Sequence, residues 1–233
     1  MTNATTRWHA IDDPRDLARH ACARVLAAAG EAIAERGRFD IVLAGGGTPR
    51  RTYALLAAAL ARWESWHVWF GDERCLPTGD AERNSHMARI TWLDQVRIPA
   101  SQIHPIPAER GAVAAAAAYG DALAGLGEFD LVLLGLGEDG HTASLFPGQD
   151  WGTQADAADA LAVFNAPKPP PERVSISAAR LARARQVLFL VEGAGKREAV
   201  ARWRRGEAIP AAAVMPAAGV DVMVDQALLV PVD

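Results

Sequence analysis

Residues 39–50, FDIVLAGGGTPR, decide the fold. Phe39 to Ala44 is a short apolar run containing β-branched Ile41 and Val42, the pattern of a strand buried on both faces. Three glycines end it. Thr48 suits a helix N-cap, and Pro49 suits the first helical turn after it. Arg51 to Arg62 then reads as helix, so the unit is strand, glycine turn, helix.

The same grammar recurs on either side. Leu17, Ala21, Val25, Leu26, Ala29 and Ile33 keep helical spacing over residues 16–36, and Gly37 supplies the stop. His67 to Phe70 reads as a second strand running into a charged loop from Gly71 to Arg83. A helix is expected over 84–93, an irregular proline-marked stretch around Pro99 to Pro107, and a long alanine-rich helix over 112–126. Phe129 to Leu134 (FDLVLL) is a third buried strand, opening into a glycine-rich loop from Gly135 to Gly148. Residues 161–165, 173–177, 186–191 and 220–224 are further strand candidates, and 195–205 reads as helix. Buried strands alternating with helices predict an α/β fold, with a largely parallel sheet and helices on both faces. No linker or solenoid-length repeat divides the chain, so 1–233 is expected to form one domain. Ligands of such sheets sit beyond the carboxyl ends of the strands. Three loops leave there: Gly45 to Thr48, Gly71 to Arg74, and Gly135 to Gly148.

Composition bounds the rest. The chain has 233 residues, 50% of them hydrophobic and 22% charged, which fits a globular protein and excludes a fibre or a disordered tail. The net charge of −4 offers no global basic field for nucleic acid or anionic lipid. Cys22 and Cys75 are too few for a disulfide framework and point to a reducing, cytoplasmic location. Residues 1–16 are polar and do not read as a secretory signal, and no apolar run approaches a membrane span. Of the 24 basic side chains only two, Lys168 and Lys196, are lysines.

Four constellations carry chemistry. Gly45, Gly46, Gly47 and Thr48 form a turn whose backbone N–H groups can approach an anion at a helix start. The turn lacks the Gly-Lys-Ser/Thr of a nucleoside triphosphate loop and the spacing of a dinucleotide fingerprint, so it suits a smaller phosphate ester. Asp72, Glu73 and Arg74 place two carboxylates and a guanidinium at a strand end. In Gly135 to Gly148, His141 stands among glycines and hydroxyl groups. An imidazole there can take a proton from water near neutral pH, oriented by a carboxylate for which Asp72 and Asp139 are the candidates. Thr142 and Ser144 are possible ligand contacts. No H-x-x-x-H, H-E-x-x-H or C-x-x-C pattern suggests a metal, and no G-x-S-x-G suggests a serine nucleophile. Arg173 follows a proline-rich connector. Lys196 sits at a helix start, where its charge opposes the helix dipole unless an anion intervenes.

Taken together, AGGGTP at 44–49, GDER at 71–74, LGLGEDGHTASLFPG at 134–148, KPPPERVSIS at 168–177 and LVEGAGKREAV at 190–200 resemble the 6-phosphogluconolactonase family. The resemblance runs from about residue 40 to 200. It implies a three-layer, modified Rossmann-like fold of the deaminase/isomerase type. It also implies hydrolysis of a phosphorylated sugar lactone, 6-phosphogluconolactone, in the oxidative pentose phosphate pathway, with no cofactor. On that basis His141 is expected to deprotonate the attacking water, and Asp72 or Asp139 to orient it. Arg74 and loop N–H groups would stabilise the oxyanion, while Gly46, Gly47, Thr48, Arg173 and Lys196 would hold the phosphate. Related deaminases continue from the histidine as Ile-Ala-Phe-Asn-Glu-Pro, whereas this chain has Phe146 in the region of that glutamate. The family often has Ser-Asn-Tyr after the acidic loop. This chain reads Arg83-Asn84-Ser85-His86, and only Asn84 carries over. The rival within the fold is a sugar-phosphate isomerase or deaminase with Asp72 as base. The rival of another class is a sugar-phosphate sensor, for which the segment before Phe39 is too short and too weakly basic to supply a DNA-binding module.

Overall fold

The structure is a computed structural model that describes residues 5–230. Seven strands form one sheet: β1 (Thr6–Ile11), β2 (Phe39–Leu43), β3 (Trp66–Phe70), β5 (Ile103–His104), β6 (Phe129–Gly135), β9 (Ala184–Val191) and β10 (Val220–Asp225). Their order is β1-β10-β9-β6-β2-β3-β5, and every neighbouring pair is parallel. All of β2, and β6 up to its last residue, are buried. Both faces of the central strands are therefore covered, as their largely apolar runs require. Helix α1 (Pro14–Arg36) packs on α2 (Gly47–Ala57). Helix α4 (Ala112–Leu123) packs on a second, antiparallel sheet ordered β4 (Asp72–Arg74), β8 (Arg173–Ile176), β7 (Ala160–Val163).

Strand succession reverses at β2. From β2 the chain moves outward to β3 and β5, then returns through β6 to the other side. The crevice at that switch, beyond the carboxyl ends of β2 and β6, is where such sheets bind ligands. It receives the triglycine turn and the histidine loop. The amino ends are closed differently. Asp40, Asp130 and Asp221 hold the second position of β2, β6 and β10, and all three are buried. Each meets an arginine, Arg38 at 2.7 Å, Arg36 at 2.8 Å and Arg7 at 2.8 Å respectively. The Asp40 N–H also donates to Asp130 at 2.8 Å. These carboxylates satisfy the sheet's amino edge and leave the carboxyl edge to the ligand.

Several local expectations change. Gly46, not Thr48, is the N-cap of α2; its φ of 108° is one that L side chains resist. Thr48 lies inside the helix and is buried. The segment expected to be a charged loop after β3 begins as β4, because its backbone pairs with β8. Strand β1 lies in a stretch that the sequence marks only as polar. It is an edge strand of alternating, half-exposed residues, so it carries no apolar run. Short α5 (Ala178–Ala182) and α7 (Pro210–Ala213) lie below the length at which periodicity speaks. Helix α3 (Asn84–Thr91) and α6 (Arg197–Arg204) appear where helices were expected, with α6 starting two residues later. Among the described residues no helix is long and apolar enough to cross a membrane.

Candidate active site

A cleft of about 220 Å³ lies at the switch point. Gly45 and Gly46, then Asp72 and Arg74, then Gly137, His141 and Ala143, and finally Arg173 and Lys196 line it. The three loops that the strand pattern sends to this edge thus meet. No three His, Cys, Asp or Glu side chains come together as a metal-ligand set among the described residues.

His141 is built into its position by its own loop. Its Nδ1 lies 2.5 Å from Asp139 Oδ1, and its N–H donates to the same oxygen at 3.0 Å. Burial pushes the Asp139 carboxyl up, but the His141 amide and ring together take it below the ordinary carboxylate value. A carboxylate on Nδ1 leaves Nε2 as the nitrogen free to accept a proton. Gly137 donates its N–H to the His141 carbonyl at 2.7 Å. A methyl at Gly137 would fall 1.9 Å from His141 Nδ1, so the ring occupies the space a side chain would fill. Phe146 packs beside the ring, centroid to centroid 4.8 Å, and the Arg173 guanidinium sits 5.6 Å from the same phenyl ring.

The cations come from three elements. Arg74 and Arg173 are register partners across β4 and β8. Like charges directly opposite on a sheet repel, and an anion between them would relieve the repulsion. Arg173 is buried and held by the carbonyls of Lys168 at 2.9 Å, Pro169 at 3.3 Å and Pro170 at 3.2 Å. Burial lowers its pKa, countered by Asp72 and reinforced by Arg74. Lys196 precedes α6 directly. Burial lowers its pKa as well, opposed by Glu138 and assisted by Lys168. Glu138 packs on Gly195, where a methyl would lie 2.6 Å from its Oε1.

Other expected residues are placed differently. Asp72 lines the cleft but does not touch His141. Its Oδ1 accepts from Asn84 Nδ2 at 3.0 Å, and its Oδ2 from the Ser144 hydroxyl at 2.6 Å. Of the two candidate partners, only Asp139 reaches the imidazole. Ser144 and Thr142 are 1% exposed, and the Thr142 hydroxyl donates to the Gly135 carbonyl at 2.8 Å. Both hydroxyls are spent inside the protein, and neither side chain is a cleft contact. Gly47 and Thr48 are not among the residues that line the cleft: Gly47 opens α2 and Thr48 is buried within it. Glu73 is fully buried and structural. Its two oxygens accept the N–H groups of Asn84 at 2.8 Å and Ser85 at 2.9 Å, which stabilises the start of α3. Sequence reasoning gave Asn84 no role. It ties Asp72 to α3, and a methyl at Gly45 would lie 2.1 Å from its Oδ1. The signal was present in the glycine at 45, but its reason is a side chain 39 positions away in the sequence.

Residues 12–224 match the family described as glucosamine-6-phosphate isomerases/6-phosphogluconolactonase. A 6-phosphogluconolactonase of Synechocystis is 42% identical over 189 residues, 77% of this chain and 77% of that protein. One of Mycobacterium leprae is 37% identical over 223 residues, covering 90% of this chain and 89% of the relative. The solved structure of 6-phosphogluconolactonase from Trypanosoma brucei superposes with a TM-score of 0.87 at 28% identity, covering 97% of this chain and 98% of the other.

Proposed function

The chain belongs to the family of glucosamine-6-phosphate isomerases and 6-phosphogluconolactonases, and from that premise we propose that it hydrolyses 6-phospho-D-glucono-1,5-lactone to 6-phospho-D-gluconate, the lactone step of the oxidative pentose phosphate pathway. Residues 1–233 act as one sugar-phosphate domain of the cytoplasm. The observation that carries this reading is the Asp139–His141 pair at 2.5 Å, facing a cleft whose other walls hold Arg74, Arg173 and Lys196.

Each step is supplied by water and these side chains. A δ-lactone is an activated ester, so it needs a positioned water, a base and a donor for the developing oxyanion. His141 Nε2 takes a proton as the water oxygen attacks C1. The resulting imidazolium is stabilised by Asp139. As the C1–ring oxygen bond breaks, the imidazolium returns the proton to that oxygen, which leaves as a hydroxyl. Arg74 and loop amides stabilise the tetrahedral oxygen, while Arg173, Lys196 and the Gly45–Gly46 turn hold the phosphate. Asp72, the base of the isomerase or deaminase alternative, directs its two carboxylate oxygens to Asn84 and Ser144. The test is a coupled assay on freshly generated lactone. Acid release well above the spontaneous rate supports the proposal, and release at the background rate refutes it. Ammonia from glucosamine 6-phosphate would point to the deaminase reading instead.

A further inference from the structure

Among the described residues only Ala143 and Asn165 combine a side chain with a positive φ. Asparagine tolerates that region, whereas alanine has no polar group to compensate and is strained there. Ala143, at φ 48°, lines the cleft two residues after His141. It is the first central residue of a turn closed by the Leu145 N–H on the Thr142 carbonyl at 2.9 Å, a position that in mirror-image turns belongs to glycine. Strain of this kind persists only where the surroundings over-determine it.

The next residue supplies the constraint. Ser144 is buried, its hydroxyl donates to Asp72 Oδ2 at 2.6 Å, and its N–H donates to Ser175 Oγ at 3.2 Å. Asp72 and Ser175 are not independent anchors, because they are register partners on β4 and β8. The rung Arg74–Arg173 lies two residues along. Side chains two apart share a face of a sheet, so one face carries both rungs. The first grips the histidine loop and the second carries two cations of the cleft.

We infer that Ser144 is a positioning residue for the reaction. By fastening the loop to the Asp72–Ser175 rung it keeps Ala143 in its left-handed turn and sets His141 in register with Arg74 and Arg173, and Asp72 serves as the anchor of this clamp. The inference rests on the lactonase reading above. It assigns Ser144 and Asp72 to the distance between base and cations, with no proton passing through either.

The test compares wild type, Ser144→Ala, and Ser144→Ala combined with Ala143→Gly, on fresh 6-phosphogluconolactone. Ser144→Ala is expected to lower kcat about tenfold or more with KM within about twofold, the signature of a misplaced base rather than lost substrate binding. Glycine adopts the left-handed turn without a clamp, so the double variant should regain several-fold of the lost kcat. A purely structural serine would show no such rescue. Should Ser144→Ala fail to fold, Ser175→Ala removes the other tie and should show the same kcat loss and the same rescue. An unchanged kcat, or a loss that Ala143→Gly does not relieve, overturns the inference while leaving wild-type lactonase activity in place. A wild-type chain that releases no acid above background overturns the lactonase reading and this inference with it.

Discussion

Gly137→Ala isolates the placement of the imidazole from everything else in the cleft. The backbone of Gly137 is not in the left-handed region, so alanine is conformationally acceptable there. The added methyl would lie 1.9 Å from His141 Nδ1, 2.2 Å from Cε1 and 2.6 Å from Cγ. Ordinary contact then requires the ring to retreat by about 1.5 Å. Such a retreat breaks the 2.5 Å contact with Asp139. A displacement of about 1 Å in a reacting group costs on the order of 10²-fold, close to 2.7 kcal/mol of transition-state stabilisation. The His141 side chain is 25% exposed and has room to swing outward, so the stability cost should stay near the low end of overpacking, about 1 kcal/mol. Lactone hydrolysis with purified protein should show kcat down about 10²-fold with KM little changed and Tm lowered by only a few degrees. His141→Ala should lose about 10²–10⁴-fold. The double variant should equal His141→Ala in rate, with Tm at least as high as Gly137→Ala, because the clash has no ring to act on. Gly137→Ala activity within threefold of wild type, or a double variant whose losses multiply, would refute the placement of His141 as base.

Three further perturbations probe the rest of the structure. Lys196→Ala removes one charge-assisted contact to a remote phosphate and should raise KM roughly 10- to 100-fold with kcat within about twofold; a loss confined to kcat would move Lys196 to the reaction centre. Gly45→Ala drives a methyl to 2.1 Å from a buried Asn84 that has hydrogen-bond partners and nowhere to go. It should cost about 1–3 kcal/mol, seen as a Tm drop of about 2–12 °C, and an unchanged melting curve would contradict the packing. His104 stacks on Trp69 at 3.9 Å and lies beside His67; burial, then His67, pushes its pKa down from 6.5 to about 4. The unfolded chain therefore takes that proton first. The stability this group contributes is complete above about pH 6.5 and is lost as pH falls toward 4. Tm measured across that window should decline, and His104→Phe, which keeps the stacking, should flatten the slope; identical slopes in the two proteins would rule the group out.

What the sequence determined by itself was local and one-dimensional. Phe39 to Leu43 and Phe129 to Leu134 are strands because short apolar runs of that length, interrupted only by an aspartate at the second position, must be buried on both faces. The glycines at 45–47 and 135–148 mark the turns, and parallel strands send those turns to one edge, so the composition of the cleft could be named before its geometry was known. Tertiary structure decided which of these residues act and which merely hold. Asp72 and Asp139 carry the same carboxylate and both follow a buried parallel strand, yet only Asp139 reaches His141, because Asp72 is turned by its rung in the small sheet toward Ser144 and Asn84. Ser144 and Thr142 became internal ties, and Asn84 the reason for a glycine 39 residues earlier. Hydrogen-bond partners and steric limits of this kind are set by distances between segments far apart in the chain, and no pattern within one segment encodes them.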